Sequence, residues 1–172
     1  ATLTVATVGD TVFEGDEAYS VSLTAGTVDG AVVAATGTVE TSSTDNDAPT
    51  FTLTGDASVV EGGSATYNIT LTGGDIASGE TVVLTLDTVD GTAINPADFA
   101  DLDNVSYDAV TNELTLTGPF TAGNIVATLT VATVGDTVFE GDEAYSVSLT
   151  AGTVDGAVVA ATGTVETSST DN

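Results

Sequence analysis

Lysine, arginine and histidine are all missing from this 172-residue chain, whereas aspartate and glutamate number 26, for a formal charge of −26 near neutral pH. No side-chain cation exists to pair with any acid. Two carboxylates held about 4 Å apart repel by roughly 4 kcal/mol at an effective dielectric of 20. A compact fold that gathers such groups therefore needs positive charge from outside. Nucleic acid and anionic lipid surfaces recruit basic proteins, so neither is expected as a partner of this polyanion. The chain also has no histidine, lysine or arginine to tune a proton or hold an anion. A carboxylate pair such as Glu140 with Glu143 is thus a poor basis for glycoside hydrolysis, and the chain does not read as an enzyme.

Cysteine is absent too, which removes disulfides, thiolate metal sites and cysteine nucleophiles together. Aromatic residues are scarce, with four tyrosines, five phenylalanines and no tryptophan, so any core is aliphatic. Long apolar runs are missing as well. The stretch Ala157–Ala161 is far shorter than the 18 or so residues of a membrane-spanning helix, and no direct membrane insertion is expected. Ala1-Thr-Leu-Thr-Val opens in a strand pattern rather than as a signal peptide.

What is present is strand-forming material. Apolar residues make up 41% of the chain and charged residues only 15%, which is too apolar for a disordered acidic tail. Hydrophobic residues alternate with threonine, serine or asparagine at Tyr67-Ile69-Leu71, Val82-Leu84-Leu86, Leu114-Leu116, Leu129-Val131 and Tyr145-Val147-Leu149. A period of two predicts strands with one dry and one wet face. Turn signals fall between them at Gly73-Gly74-Asp75, Asp90-Gly91, Asn95-Pro96, Thr111-Asn112 and Asp155-Gly156. Nothing has convincing helical spacing. The expected fold is all-β, an antiparallel immunoglobulin-like sandwich of seven to eight strands.

Residues 1–46 recur letter for letter as residues 127–172, an offset of 126 residues. This is the mark of a tandem array. Residues 47–172 read as one complete repeat, and residues 1–46 as the C-terminal part of a preceding identical repeat. A 46-residue piece with about three strands is too small to bury a core alone. Its completion is expected from neighbouring identical repeats or from another molecule. The polar stretch Thr41–Pro49 reads as a flexible linker between repeats.

The acids cluster at strand ends and loops: Glu61; Asp98, Asp101 and Asp103; Asp136, Glu140, Asp142 and Glu143; and Asp45 and Asp47 at the junction, with Asp45 repeated as Asp171. Loops at one end of a sandwich converge, and calcium takes six to eight oxygens from carboxylates and carbonyls. Hard oxygen donors without nitrogen or sulfur favour Ca²⁺.

The run Asp136-Thr-Val-Phe-Glu140-Gly-Asp-Glu143, followed by an alternating strand, resembles the Calx-beta domain. Val60-Glu61-Gly62 and Gly91-Thr92-Ala93-Ile94-Asn95-Pro96-Ala97-Asp98-Phe99 follow the family's order. The resemblance implies an immunoglobulin-like sandwich binding calcium at one end. It implies Glu61, Asp98, Asp136, Glu140 and Glu143 as ligands, and Asp10, Glu14 and Glu17 as equivalent positions in the leading copy. Acids that close the family's site come later here, at Asp171 and, by analogy with the first copy, at Asp47. Base-free identical repeats of this kind resemble the extender region of bacterial repeats-in-toxin adhesins. That resemblance implies type I secretion, an extracellular cell-surface location and a spacer role.

Two other readings stand beside this one. A sugar- or ligand-gripping module needs exposed aromatic platforms, and Tyr107, Phe99 and Phe120 are the ones available; each reads better as packing. A calcium sensor is the other, though sensors rarely need identical copies.

Overall fold

The computed structural model describes residues 1–89, 105–108, 110–133, 135, 137–139 and 141–171. The turns at Asp90-Gly91 and Asn95-Pro96, and candidate residues Asp98, Phe99, Asp101, Asp103, Asp136 and Glu140, lie outside the described residues. No helix occurs among those described. The chain forms two units: residues 1–10 with 14–46, and Thr11–Phe13 with Asp47–Asn172.

The first unit holds β1 (Glu17–Leu23), β2 (Gly26–Val28), β3 (Ala31–Val33) and β4 (Gly37–Ser43). β1 and β4 pair antiparallel from Glu17↔Ser43 to Leu23↔Gly37, and β2 with β3 makes a short hairpin. Leu3, Val5, Val8, Leu23, Val28, Val32 and Val39 are exposed. Leu3, Val21, Leu23 and Val39 line an apolar hollow of about 350 Å³. This half-sheet has a dry face with nothing of its own to cover it.

The second unit adds β5 (Thr50–Gly55), β6 (Ser58–Val60), β7 (Ser64–Thr72), β8 (Thr81–Val89), β9 (Val105–Asp108), β10 (Glu113–Thr117), β11 (Ile125–Ala132), β12 (Glu143–Val154), β13 (Ala157–Thr162) and β14 (Thr164–Thr170). One layer runs β11-β7-β5 and the other β14-β12-β8-β10-β9, with β6 added to β14. Among the described residues its ten strands exceed the seven or eight expected from alternation. The surplus comes from short edge pieces such as the three-residue β6.

β13 joins the layers. Its start pairs antiparallel with the end of β12, from Val154↔Ala157, and its last three residues pair parallel with Thr50–Thr52 of β5. A register shift between Leu149 and Ala151 bends β12 where its partner on one edge changes from β14 to β13. The β12–β13 hairpin turns on Asp155 and Gly156, both at positive φ (45° and 85°). That conformation suits a two-residue primed turn and explains the Asp-Gly pair.

Between the layers lie Phe51, Leu53, Tyr67, Ile69, Leu71, Leu129 and Val131 from one side, and Val82, Leu84, Leu86, Leu114, Leu116, Tyr145, Val147 and Leu149 from the other. The one aromatic hydroxyl that enters from β7 is satisfied: Tyr67 Oη lies 2.6 Å from Thr167 Oγ1, which in turn donates to the Asp56 carbonyl at 2.7 Å. Burial pushes the Tyr67 phenol well above its usual pKa, partly offset by the Thr167 hydrogen bond.

The stretch read as a flexible linker is narrower than its sequence suggests. Thr41–Ser43 belongs to β4. On the other side, Asp47 and Ala48 run so close to Gly73 and Gly74 that a Cβ on either glycine would collide with their carbonyls. Pro49 is buried.

Candidate metal centre

Three turns of the second unit meet where β6, β12 and β14 end. β14 pairs parallel with β6, matching Thr170 to Val60, and the Glu61 N–H donates to the Thr170 carbonyl at 2.8 Å. β14 also pairs with the start of β12, matching Ser169 to Glu143. Register alone therefore carries Glu61, Glu143 and Asp171 to one edge of the sandwich.

A backbone clasp holds the β6–β7 turn in place. The Thr133 N–H donates to the Gly63 carbonyl at 2.9 Å, and the Thr133 hydroxyl reaches the same carbonyl at 3.2 Å. Gly135 then approaches Gly62 so closely that a Cβ there would sit 2.8 Å from the Gly62 Cα. Only a residue without a side chain allows that approach. Its effect is to hold the Glu61–Gly62 turn against Gly135.

Glu61, Glu143, Asp171, Ser169 and Gly141 line a cleft of about 10 Å³, room for roughly one water-sized particle. Asp171 is oriented by the Gly141 N–H, which donates to its Oδ2 at 3.0 Å. Three carboxylates and a hydroxyl make an all-oxygen donor set suited to a hard cation such as calcium. Among the described residues, no three acids draw together tightly enough to form a coordination shell. The remaining candidates on this motif, Asp136 and Glu140, fall outside them, as do Asp98 and Asp101.

The first unit repeats the aspartate clasp. Asp45 Oδ2 accepts the N–H groups of Glu14 at 2.7 Å and Gly15 at 2.8 Å, and the Asp45 N–H donates to Asp16 Oδ1 at 3.0 Å. Glu17 opens β1 opposite Ser43, as Glu143 opens β12 opposite Ser169. Asp10 lies exposed in the segment before β1.

Asp47 is placed elsewhere. It packs beside Gly74, just past the end of β7, whereas Glu61 precedes the start of that nine-residue strand. At about 3.3 Å per residue the two are separated by roughly 25 Å, so they do not share a cleft within this unit.

The sequence did not announce how many acids fasten loops. Asp56 Oδ2 accepts the Thr66 N–H, Asp75 Oδ1 that of Ala122, and Glu80 Oε2 that of Ala77. Asp108 Oδ1 and Asp155 Oδ1 accept those of Val110 and Thr81. Each bond lies near 2.8 Å. For Asp108 and Glu80 the signal lies in placement beside a turn, where a carboxylate two or three residues from an open N–H closes it; Asp56, Asp75 and Asp155 bond N–H groups distant in sequence, which local spacing does not show. Tyr107 and Phe120 are half-buried against the core, and the Tyr107 hydroxyl donates to Asn112 Oδ1 at 3.1 Å, so neither offers a flat platform to a sugar.

The Calx-beta domain family profile matches residues 1–47 and again residues 44–171. Comparison with curated protein sequences finds no match. Among solved structures, the chain is similar to the crystal structure of the apo-form Calx CBD1 domain at 21% identity, covering 72% of this chain and 98% of that one with a TM-score of 0.45. It is also similar to a non-cellulosomal cohesin from the hyperthermophilic archaeon Archaeoglobus fulgidus at 15% identity, covering 73% of this chain and 91% of that one with a TM-score of 0.33. Calx-beta domains are non-catalytic modules that commonly bind Ca²⁺. Matched from end to end but for its final residue, the chain belongs to the Calx-beta domain family.

Proposed function

We propose that this chain is a portion of an extracellular tandem array whose repeats fold and stiffen on binding calcium, acting as spacers in a bacterial cell-surface adhesin. The observation that carries the reading is the clasp found in both copies, Gly15 with Asp45 and Gly141 with Asp171. In each copy it lies at the end of the last strand, where the polypeptide leaves one repeat for the next. A cation bound beside it by Glu61, Glu143 and Asp171, with Asp98, Asp101, Asp136 and Glu140 as further candidates, ties the exit strand to the loops. Glu14, Glu17, Asp10 and Asp45 are the corresponding set in the leading copy.

Charge supports this role. Residues 47–172 carry 19 acids and no base, so each bound ion removes repulsion that no side chain relieves. Metal-coupled folding suits secretion, because calcium is scarce inside cells and abundant outside. Loop sites in extracellular modules fill at about 10⁻⁴–10⁻³ M calcium. Residues 1–46 are taken as the tail of a preceding repeat: the dry face they expose is the face that the same sequence buries in the second unit.

Small-angle scattering of an array of several repeats tests the spacer role. The expected result is a maximum dimension that shrinks on chelation and recovers with calcium. Equal dimensions in both conditions reject stiffening, while leaving calcium binding to be judged by its own titration.

A further inference from the structure

Thr11–Phe13 groups with the second unit, with whose Asp75 segment it pairs. Val12 forms a parallel bridge with Asp75. The Asp75 N–H donates to the Thr11 carbonyl at 2.7 Å, and the Phe13 N–H donates to the Asp75 carbonyl at 2.9 Å. The neighbouring residue of the same short segment, Ile76, exchanges a pair of hydrogen bonds with Phe120, at 2.9 and 3.0 Å. Phe13 is half-buried against the core. A single parallel bridge flanked by two main-chain hydrogen bonds thus seats Thr11–Phe13 against the Asp75 segment, a minimal form of strand augmentation.

The Asp75 segment is also tied down by contacts that do not involve Thr11–Phe13. Asp75 Oδ1 accepts the Ala122 N–H at 2.8 Å, and Asp47 and Ala48 pack tightly over Gly73 and Gly74. A tied-down acceptor keeps the ordering cost of docking low.

The tripeptide that fills this edge recurs as Thr137–Phe139. There Phe139 is 87% exposed. A single exposed phenylalanine would signify little, but here the identical sequence is already seen seated. We propose that Thr137–Phe139 is a docking strand for the Asp75 edge of another copy of this unit, with Phe139 taking the place that Phe13 occupies. Two main-chain hydrogen bonds and one aromatic ring are a weak contact between free molecules. Between tandem copies the short connection supplies a high effective concentration, which makes such a contact persistent. The inference rests on the recurrence and this edge, not on calcium.

Amide hydrogen exchange tests it, with calcium present throughout. The proteins are the 172-residue chain and the same chain extended by one further copy of residues 47–172. In the 172-residue chain, Phe13→Ser should speed exchange of the Asp75 amide at least about fivefold through loss of its protecting partner, and Phe139→Ser should not change it. In the extended chain, Phe139→Ser should speed the added copy's counterpart of that amide to the same degree, and Phe139→Leu should restore protection. Because Phe139 is exposed, its replacement leaves the fold of its own copy intact. A Phe139→Ser change without effect in the extended chain overturns the proposal, as does unchanged Asp75 exchange in Phe13→Ser.

Discussion

The Gly141 N–H points at Asp171 Oδ2 from 3.0 Å, and 126 residues earlier the Gly15 N–H makes the same contact with Asp45 Oδ2 at 2.8 Å. Asp171→Ala should weaken calcium binding by about tenfold or more, since one anionic ligand is lost. It should also lower calcium-free stability by about 1 kcal/mol through loss of a charge-assisted bond. Calorimetric titration and urea unfolding read the two effects separately. Unchanged affinity would remove Asp171 from the ligand set.

Gly135 holds Glu61 at the cleft from a distance. Gly135→Ala must push the Gly62 backbone aside, at a cost of about 1–3 kcal/mol. Calcium affinity should fall in the same variant even though no ligand is altered. A loss of stability with full affinity would show that the close approach only supports the fold.

Leu23 and Leu149 occupy the same place in the recurring sequence, yet Leu23 is 60% exposed and Leu149 only 3%. Leu149→Ala should therefore cost about 2–5 kcal/mol, and Leu23→Ala less than about 0.5 kcal/mol. Urea unfolding of the two variants decides. Equal costs would mean that residues 1–46 find a cover for their dry face.

Alternation made this core legible. Tyr67, Ile69, Leu71, Val82, Leu84, Leu86, Leu114, Leu116, Leu129, Val131, Tyr145, Val147 and Leu149 all point inward, as a period of two requires. The Asp155-Gly156 turn was equally plain. The crossing of β13 between layers was not, because the parallel pairings β13–β5 and β14–β6 join segments far apart in sequence. Leu23 and Leu149 show the deeper limit: identical local sequence gives opposite burial, since burial depends on which strands lie opposite. At the site, the family resemblance implies Glu61, Glu143 and Asp171, and register brings these three to one cleft. Asp47, assigned to the junction that follows the leading copy, lies beside Gly74, at the far end of β7 from Glu61.

Alkaline pH should destabilise the second unit through Tyr67. Burial raises its phenol above the unfolded value near 10. Above pH 10 the unfolded chain releases this proton before the folded one does, so stability falls as pH rises and is fully present below pH 10. Tyr67→Phe should flatten that slope. It should also cost about 1 kcal/mol at neutral pH through the lost bond to Thr167. Urea midpoints from pH 8 to 11 test both; an unaltered slope would place the alkaline sensitivity elsewhere.

Calcium dependence of folding is the central claim, and thermal melting of the 172-residue chain tests it most directly. The comparison is about 10 mM CaCl₂ against EDTA, with MgCl₂ at equal ionic strength to account for screening. A site filled near 10⁻⁴ M gives about 2.7 kcal/mol at a hundredfold excess, so the melting temperature should rise by several degrees in calcium, return with EDTA and respond less to magnesium. The same melting temperature in calcium and EDTA, or an equal rise with magnesium, would contradict the account.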